Sequence, residues 1–322
     1  MNALKTRLVL GATAAAMLGG FASVAAADDF PSQPLRLVTP YPPGGSTSLH
    51  AGILTTPAEA YFGQPMISVI REGGGGVVGA TEVVRGNSDG YMMLFGDPTL
   101  NSLRPQVEDL PFSIDDWVPV AHINYSPWVF VASADAPFEP TLDAMAAWAA
   151  DNPDDLIYSS DNENGPTHVV FEMLQHQTGT SMREIHYGGG GPAMQNLLSG
   201  DTMAYAGDPS VVGDHIEEGT VHGVCVAGED RWPSLPDLPT CRETGHDIVF
   251  HFWRGVMVPA DTPMERVQFL SNAFEEMMED EGVQRLMASI NSRIDFMGHE
   301  EFAEYLEREQ TQLREMFEAM AD

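Results

Sequence analysis

The segment Pro40-Tyr41-Pro42-Pro43-Gly44-Gly45-Ser46-Thr47-Ser48 has the residue types and order of an anion clamp. Prolines stiffen the chain as it leaves a strand, and two glycines let a backbone approach another group closely. Three hydroxyl residues then stand where a helix would begin with unpaired N–H groups. Such a helix start suits a carboxylate or a phosphate. The segment lacks the Gly-Lys-Ser/Thr ending of a P-loop and the G-x-G-x-x-G spacing of a dinucleotide site. Alone, it is also compatible with a tight strand-to-helix turn that holds nothing. A second loop, His186-Tyr187-Gly188-Gly189-Gly190-Gly191-Pro192-Ala193, repeats its logic of strand, glycines and helix start. One such loop in each half of the chain would face the other across a cleft, both aiming helix N–H groups at a single ligand.

Other reactive residue types point to less. His215, His222, His246 and His251 do not form a compact zinc-ligand spacing, so no metal and no cofactor are expected. A hydrolase would need a nucleophile elbow, and no G-x-S-x-G follows a strand. His168 opens a helix, where it would donate either to a ligand or to a loop carbonyl. Cys225 and Cys241 flank a short proline-rich loop. An even cysteine count in an oxidising compartment favours a disulfide, and two separate buried thiols are the alternative.

The compartment is read from the N-terminus. Lys5 and Arg7 precede an apolar, alanine-rich run from Leu8 to Phe21, and Ala25-Ala26-Ala27 supplies a small-residue cleavage site. Residues 1–27 therefore read as a secretory signal peptide, with a soluble exported protein after it. The net charge is −32, and Lys5 is the sole lysine of the chain. A surface this acidic excludes nucleic acid and anionic membrane as partners. It suits a solvated protein in salt, and it leaves backbone N–H groups, hydroxyls and a few arginines to hold any anion.

Strands and helices must alternate to position these loops, and they do so at α/β spacing. Strands are expected at Leu35–Thr39, Ile67–Ile70, Tyr91–Phe95, Leu156–Ser159, Glu184–Tyr187, Met203–Ala206, Gly223–Ala227 and Phe250–Val258. Trp117–Ile123 and Trp128–Ala132 read as two extended segments parted by Tyr125-Ser126-Pro127. Helices are expected at Ser48–Phe62, kinked or shortened by Pro57, and at Gly79–Arg85, Thr141–Ala150, Thr167–Thr178 and Pro192–Leu198. Two more close the chain, at Pro263–Met278 and Glu300–Met320. The first of these should be capped by Thr262 with Glu265 completing a capping box.

Taken in order, these motifs resemble the substrate-binding proteins of tripartite tricarboxylate transporters, the Bug-type periplasmic receptors. The resemblance is carried by Pro40-Tyr-Pro-Pro-Gly-Gly-Ser-Thr, Ser88-Asp89-Gly90-Tyr91, Tyr158-Ser159-Ser160 and Thr167-His168. It continues through Tyr187-Gly188-Gly189-Gly190-Gly191-Pro192-Ala193, Leu235-Pro236-Asp237-Leu238-Pro239-Thr240, Trp253-Arg254-Gly255 and Pro259-Ala260-Asp261-Thr262-Pro263. It implies a type II periplasmic-binding-protein-like fold, with two α/β domains joined by two crossing strands and a ligand cleft between them. Residues 28–124 plus 252–322 would form domain 1, and residues 125–251 domain 2. The crossings would lie near Ile123–Ser126 and His251–Arg254.

The resemblance further implies a monomeric receptor that captures a small organic acid by domain closure and delivers it to integral-membrane transporter subunits. A periplasmic sensor feeding a signalling kinase would use the same fold, and a secreted hydrolase is the remaining alternative. By position, Tyr41, Gly44, Gly45, Ser46, Thr47 and Ser48 would form one jaw, and Tyr187, Gly189 and Gly190 the other. Thr99, Ser160, Asn162, Thr167, His168 and Asp208 would line the side walls. This chain departs from its relatives at Ser48, where they usually carry aspartate, and at Gly188, where they often carry lysine. Asp161-Asn162-Glu163-Asn164 adds two acids near the cleft, which weakens the case for a tricarboxylate. Arg254 replaces a more usual aromatic residue. It would either fork onto a ligand carboxylate or pair with a structural acid at the hinge.

Overall fold

The structure, a computed structural model, describes residues 30–321; the signal-peptide segment 1–27 lies outside the described residues. The chain opens with β1 (Leu35–Thr39), α1 (Ser46–Thr55), α2 (Glu59–Phe62), β2 (Met66–Ile70), α3 (Val77–Val84) and β3 (Met92–Gly96). A π-helical turn over Thr99–Leu103 leads through α4 (Arg104–Val107) to the long β4 (Trp117–Ser133). The middle of the chain runs α5 (Leu142–Asp151), β5 (Ile157–Ser160), α6 (Pro166–Thr178), β6 (Arg183–His186), α7 (Gly190–Leu198), β7 (Ala204–Gly207), α8 (Pro209–Glu217) and β8 (Val221–Ala227). β9 (His251–Pro259) then returns beside β4, followed by α9 (Met264–Glu279), α10 (Glu281–Ser289), β10 (Met297–Gly298) and α11 (His299–Ala321).

Two sheets share one strand. In the first, β2, β1 and β3 run parallel, β9 lies antiparallel beside β3, and the first half of β4 pairs with β9 from Trp117 to Pro127. From Trp128 onward β4 belongs to the second sheet, flanked by β8 on one side and β7 on the other, with β5 and β6 beyond. The sequence pattern suggests two segments parted at Pro127, whereas β4 is one continuous strand of 17 residues. Pro127 is tolerated because it sits at the handover, pairing with His251 at the end of the β9 ladder.

The alternation of β4 explains how the second sheet is covered on both faces. Trp128, Phe130 and Ala132 pack with α5 and α6 residues, and Tyr158 stacks on Phe171 at 3.9 Å between ring centroids. Val129 and Val131 point the other way, against Ala193 and Leu197 of α7 and Val212 of α8. The first sheet is closed by α3 and by α11, whose Phe302 and Leu306 bury against Trp253 and Met257. Cys225 and Cys241 form a disulfide with a Cα separation of 5.1 Å, tying the irregular segment after β8 to the core of the second sheet.

Two further local expectations need correction. Residues 209–217, absent from the expected helices, form α8 with Asp208 as its N-cap. The capping box at Thr262 does not form. The helix starts one residue late because Pro263 is extended, and the buried Thr262 hydroxyl has no partner.

Candidate functional site

The C-terminal ends of parallel strands supply the site, as open α/β sheets commonly do. β1 leads into the first glycine loop and α1, and β6 into the second glycine loop and α7. β5 leads into residues 161–165 and α6, and β7 into Asp208 and α8. Gly44 takes a φ of +84° and Gly188 one of +78°, turns for which a side chain would be strained. Each loop ends in a glycine N-cap, Gly45 for α1 and Gly189 for α7, and neither helix is capped by a side chain. Their first N–H groups, and the positive ends of their dipoles, are therefore available to an anion.

The two glycine loops touch. A Cβ on Gly191 would lie 2.8 Å from the carbonyl carbon of Gly44 and 2.9 Å from Pro43 O, and one on Gly189 would lie 2.5 Å from Pro42 Cγ. Only glycines allow this approach of backbone to backbone. Behind the contact is a narrow cleft with a free volume of about 30 Å³. Gly45, Ser46 and Thr47 line one side, Gly189 and Gly190 the opposite side, and Tyr41, Asn162 and Asp208 the rest of the expected wall. Trp128 and Phe252 form an aromatic floor where the two long strands cross, and Asp161, Pro166, Tyr205 and Val211 complete the lining.

Beside the cleft the buried Arg254 is paired through both terminal nitrogens, and only its Nε lacks a partner. Arg254, fully buried on β9, donates to Asp208 Oδ2 at 2.6 Å, to Ser46 Oγ at 2.7 Å and to Ser126 Oγ at 3.1 Å. Asp208 also accepts from Ser126 and from the backbone N–H of Ser210. Burial alone would raise its pKa, but the Arg254 guanidinium and these donors hold it down at about 2. The bridge joins four elements: the α1 jaw, β4, β9 and the N-terminus of α8. Of the two expectations for Arg254, this geometry matches a hinge arginine paired with a structural acid.

His50, one turn into α1, sits against Ser46 O at 2.7 Å and Ser292 Oγ at 2.8 Å. Burial, and next the charge of Arg254, lowers its pKa to about 4 and keeps the imidazole neutral. Tyr41 is anchored by donating to Asp97 Oδ2 at 2.6 Å, which fixes the first loop against the end of β3. Asp161 differs from these groups. It is 8% exposed, and its Oδ1 has no hydrogen-bond partner. Burial pushes its pKa up to about 6, while Thr167 and nearby backbone N–H groups pull the other way.

The model of the tripartite tricarboxylate transporter family receptor matches residues 53–320. The chain belongs to this receptor family. Among its relatives, Protein BugT of Bordetella pertussis is 29% identical over 296 residues, covering 90% of this chain and 89% of the relative. The UPF0065 protein in the gbd 5'region of Cupriavidus necator is 31% identical over 304 residues, covering 92% and 90%. A solved structure described as a periplasmic transporter superposes with a TM-score of 0.84 at 25% identity, covering 90% of this chain and 97% of its own. MatC from Rhodopseudomonas palustris, solved with bound malate, shares the fold at a TM-score of 0.82 and 22% identity, covering 89% and 99%. The receptor thus has the type II periplasmic-binding-protein architecture of two α/β lobes joined by crossing strands.

Not every residue singled out from sequence reaches the cleft of this receptor. Gly44 lies at the outer rim of the jaw contact. Ser48 turns back to donate to Gly45 O at 2.8 Å, and Ser160 donates to Asn162 O at 3.1 Å. Thr167 donates to Ala206 O at 2.7 Å and accepts from Trp128 Nε1, so it braces the floor from behind. His168 pairs with Glu184 at 2.7 Å, and Tyr187 packs on the α7 side of the second sheet. Thr99 is buried at the start of the π-helical turn. Reading from sequence missed Trp128, Phe252, Tyr205, Val211 and Pro166. The crossings themselves were a usable signal for the first two, since both sit at the strand handover. Tyr205 and Val211 carry no local signal.

Proposed function

We propose that this receptor captures a small carboxylate in the cleft between its two glycine loops and delivers it to integral-membrane transporter subunits. Family membership makes it a periplasmic solute receptor and not an enzyme. The observation that carries the ligand class is the pair of facing helices, α1 and α7, each with a glycine N-cap and no side-chain cap. Two such N-termini converging on one small space favour an anion that spreads charge over several oxygens. MatC was solved with malate and a further structural neighbour, Rpa4515 of R. palustris, with adipate. By this reading the hinge lies where β4 passes from one sheet to the other beside the start of β9, with residues 28–124 and 252–322 as one moving body and 125–251 as the other. Gly44, Ser48, Thr99, Ser160, Thr167, His168 and Tyr187 then shape and brace the jaws and walls from outside the cleft.

Calorimetry and thermal unfolding against malate, adipate and a series of mono- and dicarboxylates test the proposal. At a ligand concentration a hundred times Kd, binding should add about 2.7 kcal/mol to stability and raise Tm. Absence of binding across the whole series would sink the proposal, as would conversion of any probe seen by mass spectrometry.

A further inference from the structure

The cleft has a carboxylate of its own. Asp161 lines it, is more than nine-tenths buried, and leaves Oδ1 without a partner. Among the neighbouring acids, Asp208, Asp97 and Glu309 are fully engaged, whereas the part-buried Glu184 leaves Oε1 without a hydrogen bond, 3.4 Å from His186 Nδ1. Asp208 is met by Arg254, Ser126 and Ser210, Asp97 by Tyr41 and the Leu100 N–H, and Glu309 by Ser102 and Trp253. The protein also withholds every nearby cation from Asp161. Arg254 is consumed by Asp208, and Arg104, beside the same loop, is held by both oxygens of Glu108. Among the described residues no arginine or histidine forms an ion pair with Asp161, and the chain has no lysine after Lys5.

A buried carboxylate oxygen left unpaired is costly, and a second carboxylate brought against it is costlier. A cationic group on the ligand removes both penalties. The aromatic residues Trp128 and Phe252 line the same space, a setting compatible with a cationic group. We infer that the preferred ligand is a zwitterion, its carboxylate held at the α1 and α7 N-termini and its protonated amine received by Asp161. This rests on the carboxylate-receptor reading and narrows it from organic acids in general to amino carboxylates. A dicarboxylate would place its second charge against Asp161.

Matched probes test it on the full mature protein. Calorimetry should compare alanine with propanoate, 2-aminobutanoate and 4-aminobutanoate with butanoate, and glutamate with glutarate. In at least one pair the amine-bearing member should bind tenfold or more tightly than its deaminated counterpart. In Asp161→Asn, that ratio should fall to within about threefold, mainly by weakening the amine-bearing member. Deaminated members binding as tightly as their partners in every wild-type pair would overturn the inference and leave carboxylate capture standing. So would an Asp161→Asn protein, folded by thermal unfolding, that weakens both members alike. Binding by neither class would overturn the carboxylate reading itself.

Discussion

At the scale of single residues, the most consequential group is the buried pair Arg254–Asp208. Both are out of water, and each depends on the other to offset its desolvation. Arg254→Ala strands a buried carboxylate whose low pKa owes most to the guanidinium, with the Ser126 and Ser210 donors adding to it. Urea unfolding should show a loss of roughly 3–5 kcal/mol in that variant at pH 7. The double variant Arg254→Met/Asp208→Asn should recover much of the loss, because neither remaining side chain is a lone buried ion. Additive losses in the double variant would show that the pair is not a unit. The presence of Arg254 is plain in the sequence, but its partner is not. Asp208 lies far away in the chain, and only the strand handover brings β9 beside the N-cap of α8. The same holds for Asp161: the extra acids of residues 161–164 are visible as types, whereas the orphaned oxygen is a product of packing.

At the scale of elements, the contact between the two glycine loops depends on how near one backbone can come to another. Gly191 lies in the first turn of α7, where alanine would favour the helix. A methyl there would nonetheless meet only backbone atoms of residues 43–45, which cannot step aside. Gly191→Ala should therefore keep or slightly raise the Tm of the ligand-free receptor while lowering ligand affinity by well over tenfold. Small-angle scattering with saturating ligand should show a larger radius of gyration than for wild type. Unchanged affinity would mean that the jaws need not touch. Elements with regular patterns, such as β1, α6 and α7, were readable from sequence to within a residue or two. Elements shaped by tertiary context were not. Pro127 disguised β4, because its missing N–H is harmless only where one sheet ends and another begins. α8 was announced locally by Asp208-Pro209-Ser210, an N-cap followed by proline, yet its apolar face is short. Thr262 shows the reverse error, a capping pattern present in the sequence that forms no cap in the structure.

At the scale of the whole molecule, acidity and architecture were legible, and the ligand was not. A net charge of −32 repels other anions from every direction, so the cleft must attract with fixed dipoles at short range. One feature of the architecture reaches beyond binding. β4 and β9 lie side by side, but everything from α5 to β8 is interposed between them in sequence. Leu94 on β3 likewise finds Met257 on β9 only after that whole stretch has been made. The second sheet needs just the end of β4 and the residues that follow it, so it can assemble while the first sheet still lacks a central strand. Its contacts are also shorter in range, which favours speed. Pulse-labelled hydrogen exchange during refolding should protect β5 and β7 before β1 and β3, and simultaneous protection would refute this order. A chain born N-terminus first would then hold β1, β2 and β3 unfinished until β9 arrives, a built-in delay that leaves this part pliable for passage through a narrow export channel.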